Sequence, residues 1–566
     1  MMKWIKKDSA LSIEEVVERN TGINISEFLN PPEDLYIKGL DAAADRIRKA
    51  IADGESITIY GDYDADGITS STIIFVTIKK LNYDNVRVIL PKRFSEGYGL
   101  SMAAVDRVES GLLITIDNGI TAVEEIAHAK NKGLGVVVLD HHLRREDGLI
   151  PEADVVVDPS AIEGSDFNHY CGAGIAFKLA KIMLNDEILL DRLSGLAAIG
   201  TVADVMPLVL ENRSIVIRGI RSINNGVMVP GLAALLQKLD LYEVNEGDFG
   251  FKLGPIINAA GRLLDDGAKR VFNLLISGGA KAERLAEELI ALNDERKRLV
   301  EANMAYCEQI IEDECMYGEN PLLIYTTATS EQKFGEGVVG VLAGRLAEKY
   351  KVPAIVLTEG EDGILKGSGR SDGAIHLKQL LDTAEDLLAR YGGHAGAAGL
   401  SVTIDNVEAL RARLSEGVKA FPQAEVVDDA IYYDLEVNAS QLPAVMEKLK
   451  RFAPFGEGNP RPVFKVNGVM LLPRGGRFYN LMGKDGQHLK LFARGFDAVG
   501  FDMADKYKEA NEPMQLELLG FLGENRFMNN VTLQVELKDF SAVTSKKENS
   551  NLAQLVSEKM KKKGYS

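Results

Sequence analysis

Three carboxylates crowded into five positions constrain this chain more than any other feature. Asp62, Asp64 and Asp66 lie in Gly61-Asp62-Tyr63-Asp64-Ala65-Asp66-Gly67, directly after the β-branched run SITIY (56–60) and before a helix-forming stretch, Ile68 to Lys80. Like charges at this spacing repel one another strongly unless a cation sits among them. A calcium hand opens in the same way, D-x-D-x-D-G, but it needs a bidentate glutamate at loop position twelve. That position is Ile73, inside an apolar run, so the calcium-hand reading fails.

The surrounding pattern is strand, turn, helix. VRVIL (86–90), LLITID (112–117) and LGVVVLD (134–140) are short β-branched runs, each followed by turn residues and a helical period. Such alternation predicts an α/β fold, a parallel sheet with helices on both faces. Ligands bind at the carboxyl ends of such strands, and acids or histidines stand there. Asp117 precedes Asn118-Gly119, Asp140-His141-His142 closes the fourth run, and Asp204 lies in Ala198-Ile199-Gly200-Thr201-Val202-Ala203-Asp204-Val205. Taken singly, each has a plain alternative of about equal weight: a turn aspartate, a pair of satisfied histidines, a helix cap. Taken jointly, the strand-end members face one crevice. Carboxylates with imidazole and no thiolate suit manganese or magnesium better than zinc or copper.

A chain of 566 residues exceeds one core and divides into about three or four units. Residues 1–50 read as an N-terminal capping segment, broken at Asn30-Pro31-Pro32 before a helix over Leu40 to Ala52. Residues 51–280 form the first α/β domain. The segment 281–315, rich in Ala, Glu, Leu and Arg, reads either as a rigid connector helix or as a surface helix of that domain. A second α/β stretch, beginning at PLLIYTT (321–327), occupies 316–420. Over 421–545 the runs AIYYDLEV (430–437), PVFKVNGVMLL (462–472), HLKLFAR (488–494), MQLELLGFLG (514–523) and VTLQVELKDF (531–540) predict a small β-barrel, with an OB-fold foremost. The lysine-rich tail, 546–566, is either a solubilising end or an aid to nucleic-acid contact.

Cys171, Cys307 and Cys315 form no C-x-x-C pair, so a disulfide framework and a structural zinc site are unsupported. The absence of an apolar run of roughly 20 residues argues against a membrane span, and a cytoplasmic protein is expected. The net charge of −18 weighs against a polyanionic partner, but carboxylates that hold divalent cations are partly neutralised, and a local basic groove still attracts phosphates.

Taken in order, DYDADG, DNG, DHH and the later ADV resemble the four phosphoesterase motifs of the DHH superfamily. Pro91-Lys92-Arg93 with Glu96-Gly97-Tyr98-Gly99, Gly172-Ala173-Gly174, the segment Gly254-Pro255-Ile256-Ile257-Asn258-Ala259-Ala260-Gly261-Arg262-Leu263, and Gly392-Gly393-His394-Ala395-Gly396-Ala397-Ala398-Gly399 extend the likeness to its single-strand-specific 5′→3′ exonucleases. The resemblance covers about residues 35 to 540. It implies a DHH phosphoesterase domain, a DHH-associated domain joined by a long helix, and an OB-fold. It implies that Asp64, Asp66, Asp117, His141 and Asp204 bind two Mn2+ or Mg2+ ions, with Asp117 bridging. Asp62 is then either a further ligand or an orienting group, and His142 meets the scissile phosphate or the leaving group.

For substrate contact the resemblance points to Arg370-Ser371 within GSGRSDG, to Arg93, Asn258 and Arg262, and to Gly393 and His394; a tight packing turn is the alternative for the glycine-rich run. Phe452, Phe455, Arg461, Phe464, Arg474, Arg477, Phe478 and Tyr479 supply aromatics and cations for stacking a single strand, and several of them must be core. One departure stands out: Phe334-Gly335 occupies the place of a family Trp-His pair. The implied activity is hydrolysis of single-stranded DNA to 5′-mononucleotides in repair and recombination, by a monomer, with a RecQ-type helicase and a single-strand-binding protein as partners. A phosphodiesterase of oligoribonucleotides or cyclic dinucleotides is the alternative.

Overall fold

The computed structural model describes residues 3–97, 99–360, 363–371, 373, 375–421, 430–527 and 530–543. Tyr98 and the tail 546–566 lie outside them. The described residues divide into two compact units, one built from the chain between Pro31 and Phe421 and one from residues 3–30 with those from Ala430 to Val543.

In the larger unit, β1 (Ile57–Tyr60), β2 (Val86–Ile89), β3 (Leu112–Ile116), β4 (Gly135–Leu139) and β5 (Val155–Val157) form a parallel sheet in the order β2-β1-β3-β4-β5. The central strands are near-continuous Ile, Leu and Val because both faces are covered. Ile57, Ile59, Leu112, Ile114 and Val137 pack into one core, while Leu113, Val136 and Val138 pack into a second on the opposite face. Helices α1 (Leu40–Ala52), α2 (Ala65–Lys80), α3 (Gly172–Met183) and α4 (Glu187–Ala203) contribute to the first core. α2 begins three residues before the apolar run, since the Asp64 carboxylate caps the Asp66 and Gly67 N–H groups at 3.0 Å.

Helix α5 (Gly254–Leu263) leads by way of a shorter helix to α6, Gly279–Asp313, about 50 Å long at 1.5 Å per residue. Ala282, Leu285, Ala286 and Leu289 of α6 pack into the core of the first sheet. Val300, Cys307 and Ile311 pack against Leu322, Ile324 and Leu342 of the following domain. The segment therefore joins two cores through a buried stripe. Beyond it, β6 (Leu322–Thr326), β7 (Ala354–Glu359), β8 (Ile364–Arg370), β9 (Leu388–Gly393) and β10 (Ala397–Thr403) form a mixed sheet in the order β9-β10-β8-β7-β6.

In the smaller unit, Val463–Met470, Gln515–Phe527, Asn530–Ala542, Phe496–Gly500 and His488–Ala493 follow one another around a sheet. A bridge between Leu471 and Ala493 closes it into a five-stranded barrel. Two departures from the sequence reading appear. The run 430–437 splits at the buried Asp434: Leu435–Asn438 pairs with the barrel strand at Val463, and Ile431–Tyr433 pairs with Trp4–Lys6. The segment 1–50 also divides, because residues 3–30 belong with the barrel and the chain from Pro31 with the larger unit. Asp434 anchors the first part, taking Lys7 at 3.0 Å, the Arg19 guanidinium and the Val463 N–H. Among the described residues no helix is long and apolar enough to cross a membrane.

Candidate metal centre

The acids and histidines singled out in the sequence meet at the carboxyl edge of the first sheet. His141 Nε2 lies 3.0 Å from Asp117 Oδ1 and 3.7 Å from both Asp66 Oδ2 and Asp204 Oδ2. Three overlapping groups, Asp62/Asp64/Asp117, Asp66/His141/Asp204 and Asp117/His141/His142, each place their ligand atoms within 4.8 Å of one another.

Each member is held by a different device. Asp66 accepts the Gly172 and Ala173 N–H groups at 2.6 and 2.8 Å, so the positive end of α3 faces it. A side chain at Gly172 would stand 2.8 Å from Asp117 Cβ, and one at Gly200 would stand 2.5 Å from Ala173 Cβ. Glycine is therefore required where the two helices close on the acids. Asp117 adopts φ +62°, an uncommon conformation for a residue with a side chain and one that concentrates at functional sites. Asp140 accepts N–H groups from Ile120, His141 and His142 and the His142 Nδ1–H at 2.8 Å. Asp204 caps the end of α4.

Burial, and then the neighbouring carboxylates, push Asp62, Asp64 and Asp117 above the usual carboxylate range and Asp204 to about 8. Burial lowers His141. Burial also opposes charge on His142, yet the Asp140 hydrogen bond and charge outweigh it and hold the ring up to about 9. Asp62 Oδ1 and Asp204 Oδ2 are buried with no hydrogen-bond partner among the described residues. Unpartnered carboxylate oxygens, a crowd of repelling acids and one neutral imidazole fit hard divalent cations.

Beside this centre lies a group of arginines. The Arg93 guanidinium stacks on the ring of Tyr63, between Asp62 and Asp64, at 4.9 Å. Arg262 donates to the Gly337 carbonyl at 3.3 Å; burial and then the charges of Arg93, Arg296 and Arg370 lower it to about 10. Arg370 is lowered by burial and by Arg93, and donates to Ser368 Oγ at 2.7 Å. Cations gathered against their own repulsion suit an anion.

Other expected contact residues are engaged elsewhere. Asn258 Oδ1 accepts the Ala65 N–H at 2.8 Å, so it supports the acidic loop. The Ser371 hydroxyl donates to the Ile375 carbonyl, and the hydroxyl beside Arg370 belongs to Ser368. Alternation along β8 places Ser368 and Arg370 on one face, a signal the motif alone does not carry. Gly393, at φ +146°, admits the Ala397 carbonyl where a side chain would clash, and His394 Nδ1 accepts the Gly396 N–H at 3.3 Å. Both belong to the β9–β10 hairpin. In the barrel, Phe452 and Phe464 are core, Arg474 pairs with Asp497 at 2.7 Å, and Arg477, Phe478 and Tyr479 line a surface depression.

The family model for the DHH family, N-terminal domain, matches residues 56–201; those for the DHHA1 domain and the RecJ OB domain match 320–420 and 433–539. Fold and site together define a protein of the DHH phosphoesterase class with an appended OB domain. The chain is 33% identical over 534 residues to the single-stranded-DNA-specific exonuclease RecJ of Salmonella typhimurium, covering 89% of this chain and 90% of that one. To the Escherichia coli protein of the same name it is 32% identical over 535 residues, covering 88% and 89%. The chain belongs to the RecJ family. Among solved structures, RecJ of Thermus thermophilus in complex with Mn2+ superposes with a TM-score of 0.76 at 28% identity over 94% of this chain and 76% of that one. An exonuclease RecJ bound to manganese does so with a TM-score of 0.59 at 32% identity, covering 70% and 99%.

Proposed function

We propose that the protein hydrolyses single-stranded DNA from its 5′ end, releasing 5′-mononucleotides, in DNA repair and recombination. The observation that carries this reading is the acid–imidazole centre with an arginine group beside it, Arg93 lying over the ring of Tyr63 between Asp62 and Asp64. The names of the relatives support the substrate, and the barrel supplies a second surface for a strand.

Asp62, Asp64, Asp66, Asp117, His141 and Asp204 would hold two Mn2+ or Mg2+ ions. Bound there, such ions acidify water and offset charge on phosphoryl oxygens. The chain's own groups do the rest. Arg93, Arg262 and Arg370, with Ser368, bind the terminal 5′-phosphate and thereby place the next phosphodiester at the acids. His142, kept protonated by Asp140, offers a hydrogen bond to the scissile phosphate and a proton to the 3′ oxygen that leaves. Water adds to phosphorus, the bond to that 3′ oxygen breaks, and a nucleotide with its 5′-phosphate departs. A helicase of the RecQ type and a single-strand-binding protein would supply and present such strands.

Digestion of 5′-labelled, 3′-labelled and duplex DNA beside cyclic dinucleotides, with Mn2+, tests the reading. Labelled mononucleotide should appear at once from the 5′ label, with a ladder of shortening strands from the 3′ label. Preference for the small nucleotides would contradict it.

A further inference from the structure

The peptide that carries His141 and His142 lies outside any helix or strand, yet imidazoles at such a centre must keep position to within about 0.5 Å. Its N–H side is pinned by the Asp140 carboxylate. Its carbonyl side is held from the next strand, because Ser160 Oγ lies 2.6 Å from the His141 carbonyl and 3.2 Å from that of His142. Ser160 is fixed in turn by Asp158, the residue that follows β5: Oδ1 accepts the Ser160 and Ala161 N–H groups at 2.9 Å and lies 2.9 Å from the Ser160 hydroxyl. Asp158 is 1% exposed, and its other oxygen has no hydrogen-bond partner among the described residues.

A carboxylate buried at this cost (burial, and then the charge of Asp140, raise it to about 6) to cap an otherwise exposed serine is more than a loop needs. We infer that Asp158 and Ser160 are positioning residues for the DHH histidines. Asp158 fixes the turn through the Ser160 and Ala161 N–H groups, and the single Ser160 hydroxyl hydrogen, directed at the His141 carbonyl with that of His142 beside it, holds the peptide so that the His141 ring faces Asp66, Asp117 and Asp204. Neither residue touches substrate. The inference rests on the proposed metal site, and it is read on metal affinity rather than on turnover.

The test uses the full chain and Mn2+ alone, titrated by calorimetry and electron paramagnetic resonance, with metal-free melting recorded alongside. Outer groups that orient a ligand are worth about 10- to 100-fold in metal affinity. Ser160→Ala and Asp158→Ala should weaken Mn2+ binding by about that factor, while Ser160→Thr, which keeps the hydroxyl, and Asp158→Asn, which keeps the acceptor oxygen, stay within about threefold of wild type. Wild-type affinity in Ser160→Ala, or a Ser160→Thr protein as weak as Ser160→Ala, overturns the inference. A wild-type chain that binds Mn2+ but cleaves no single strand sinks the proposed function and leaves this comparison decisive. A wild-type chain that binds no Mn2+ sinks both.

Discussion

His141 Nε2 stands 3.0 Å from Asp117 Oδ1, joining the ends of two neighbouring strands across 24 residues of chain. Asp117 reaches it from a left-handed backbone, φ +62°, and is crowded by Asp66, Asp64, Asp62 and Asp204. The geometry is costly unless a cation repays it. Asp117→Asn keeps the shape and removes the charge. It should lower kcat by about 10³-fold or more, about 4 kcal/mol at 1.36 kcal/mol per tenfold, retain most strand binding, and raise the melting temperature of the metal-free protein by relieving repulsion. Single-turnover cleavage with strand-binding and melting curves checks all three; an active Asp117→Asn protein contradicts the assignment.

Acidity supplies a second test. In the metal-free protein Asp62, Asp64, Asp117 and Asp204 have raised folded-state values, Asp204 about 8, and His142 stands at about 9. The native state then keeps protons that the unfolded chain releases, so stability is present at low pH and is lost as pH rises through the folded values. His141, lowered by burial, opposes this. Melting in chelator should therefore fall from about pH 4 to about pH 9, the window between the unfolded carboxylate value and the folded value of His142. Mn2+ should reverse the trend, because its ligands bind deprotonated. A metal-free melting temperature that climbs over this window contradicts the raised values.

The arginine group is tested by the end of the substrate. Removing one charge-assisted phosphate contact costs about 1.5–3 kcal/mol. Arg370→Gln should raise KM by roughly 10- to 100-fold on a 5′-phosphorylated strand and much less on a 5′-hydroxyl strand. Equal losses on both ends would place the guanidinium elsewhere on the path.

Packing gives a fourth expectation. A methyl at Gly200 would meet Ala173 Cβ at 2.5 Å and Asp66 Oδ1 at 2.8 Å. Gly200→Ala should cost about 1–3 kcal/mol of stability, the usual penalty of overpacking, and weaken Mn2+ binding by displacing Asp66. Thermal melting and calorimetry decide; a variant with native metal affinity shows that the helix junction yields.

The acids at 62, 64 and 66 were legible because they are local: a loop of like charges after a strand reports its cation without knowledge of the rest. Asp117 and His141 were legible because strand ends converge by topology, whereas Asp204, at the end of helix α4, was legible only through its ADV motif. Three things were not. The choice of Ser368 over Ser371 depends on where β8 ends, since one residue past the strand faces a different neighbour. The pairing of Trp4–Lys6 with Ile431–Tyr433 spans most of the chain, and no local pattern encodes it. The capping of Asp66 by the Gly172 and Ala173 amides depends on how α3 is aimed, which only the packed core decides.

Anomalous scattering from crystals grown with Mn2+ tests the central claim most directly. Two peaks should appear among Asp62, Asp64, Asp66, Asp117, His141 and Asp204, within about 4 Å of each other, with Asp117 touching both. Density placing these side chains together around no metal, or a single ion bound elsewhere on the chain, would contradict the account.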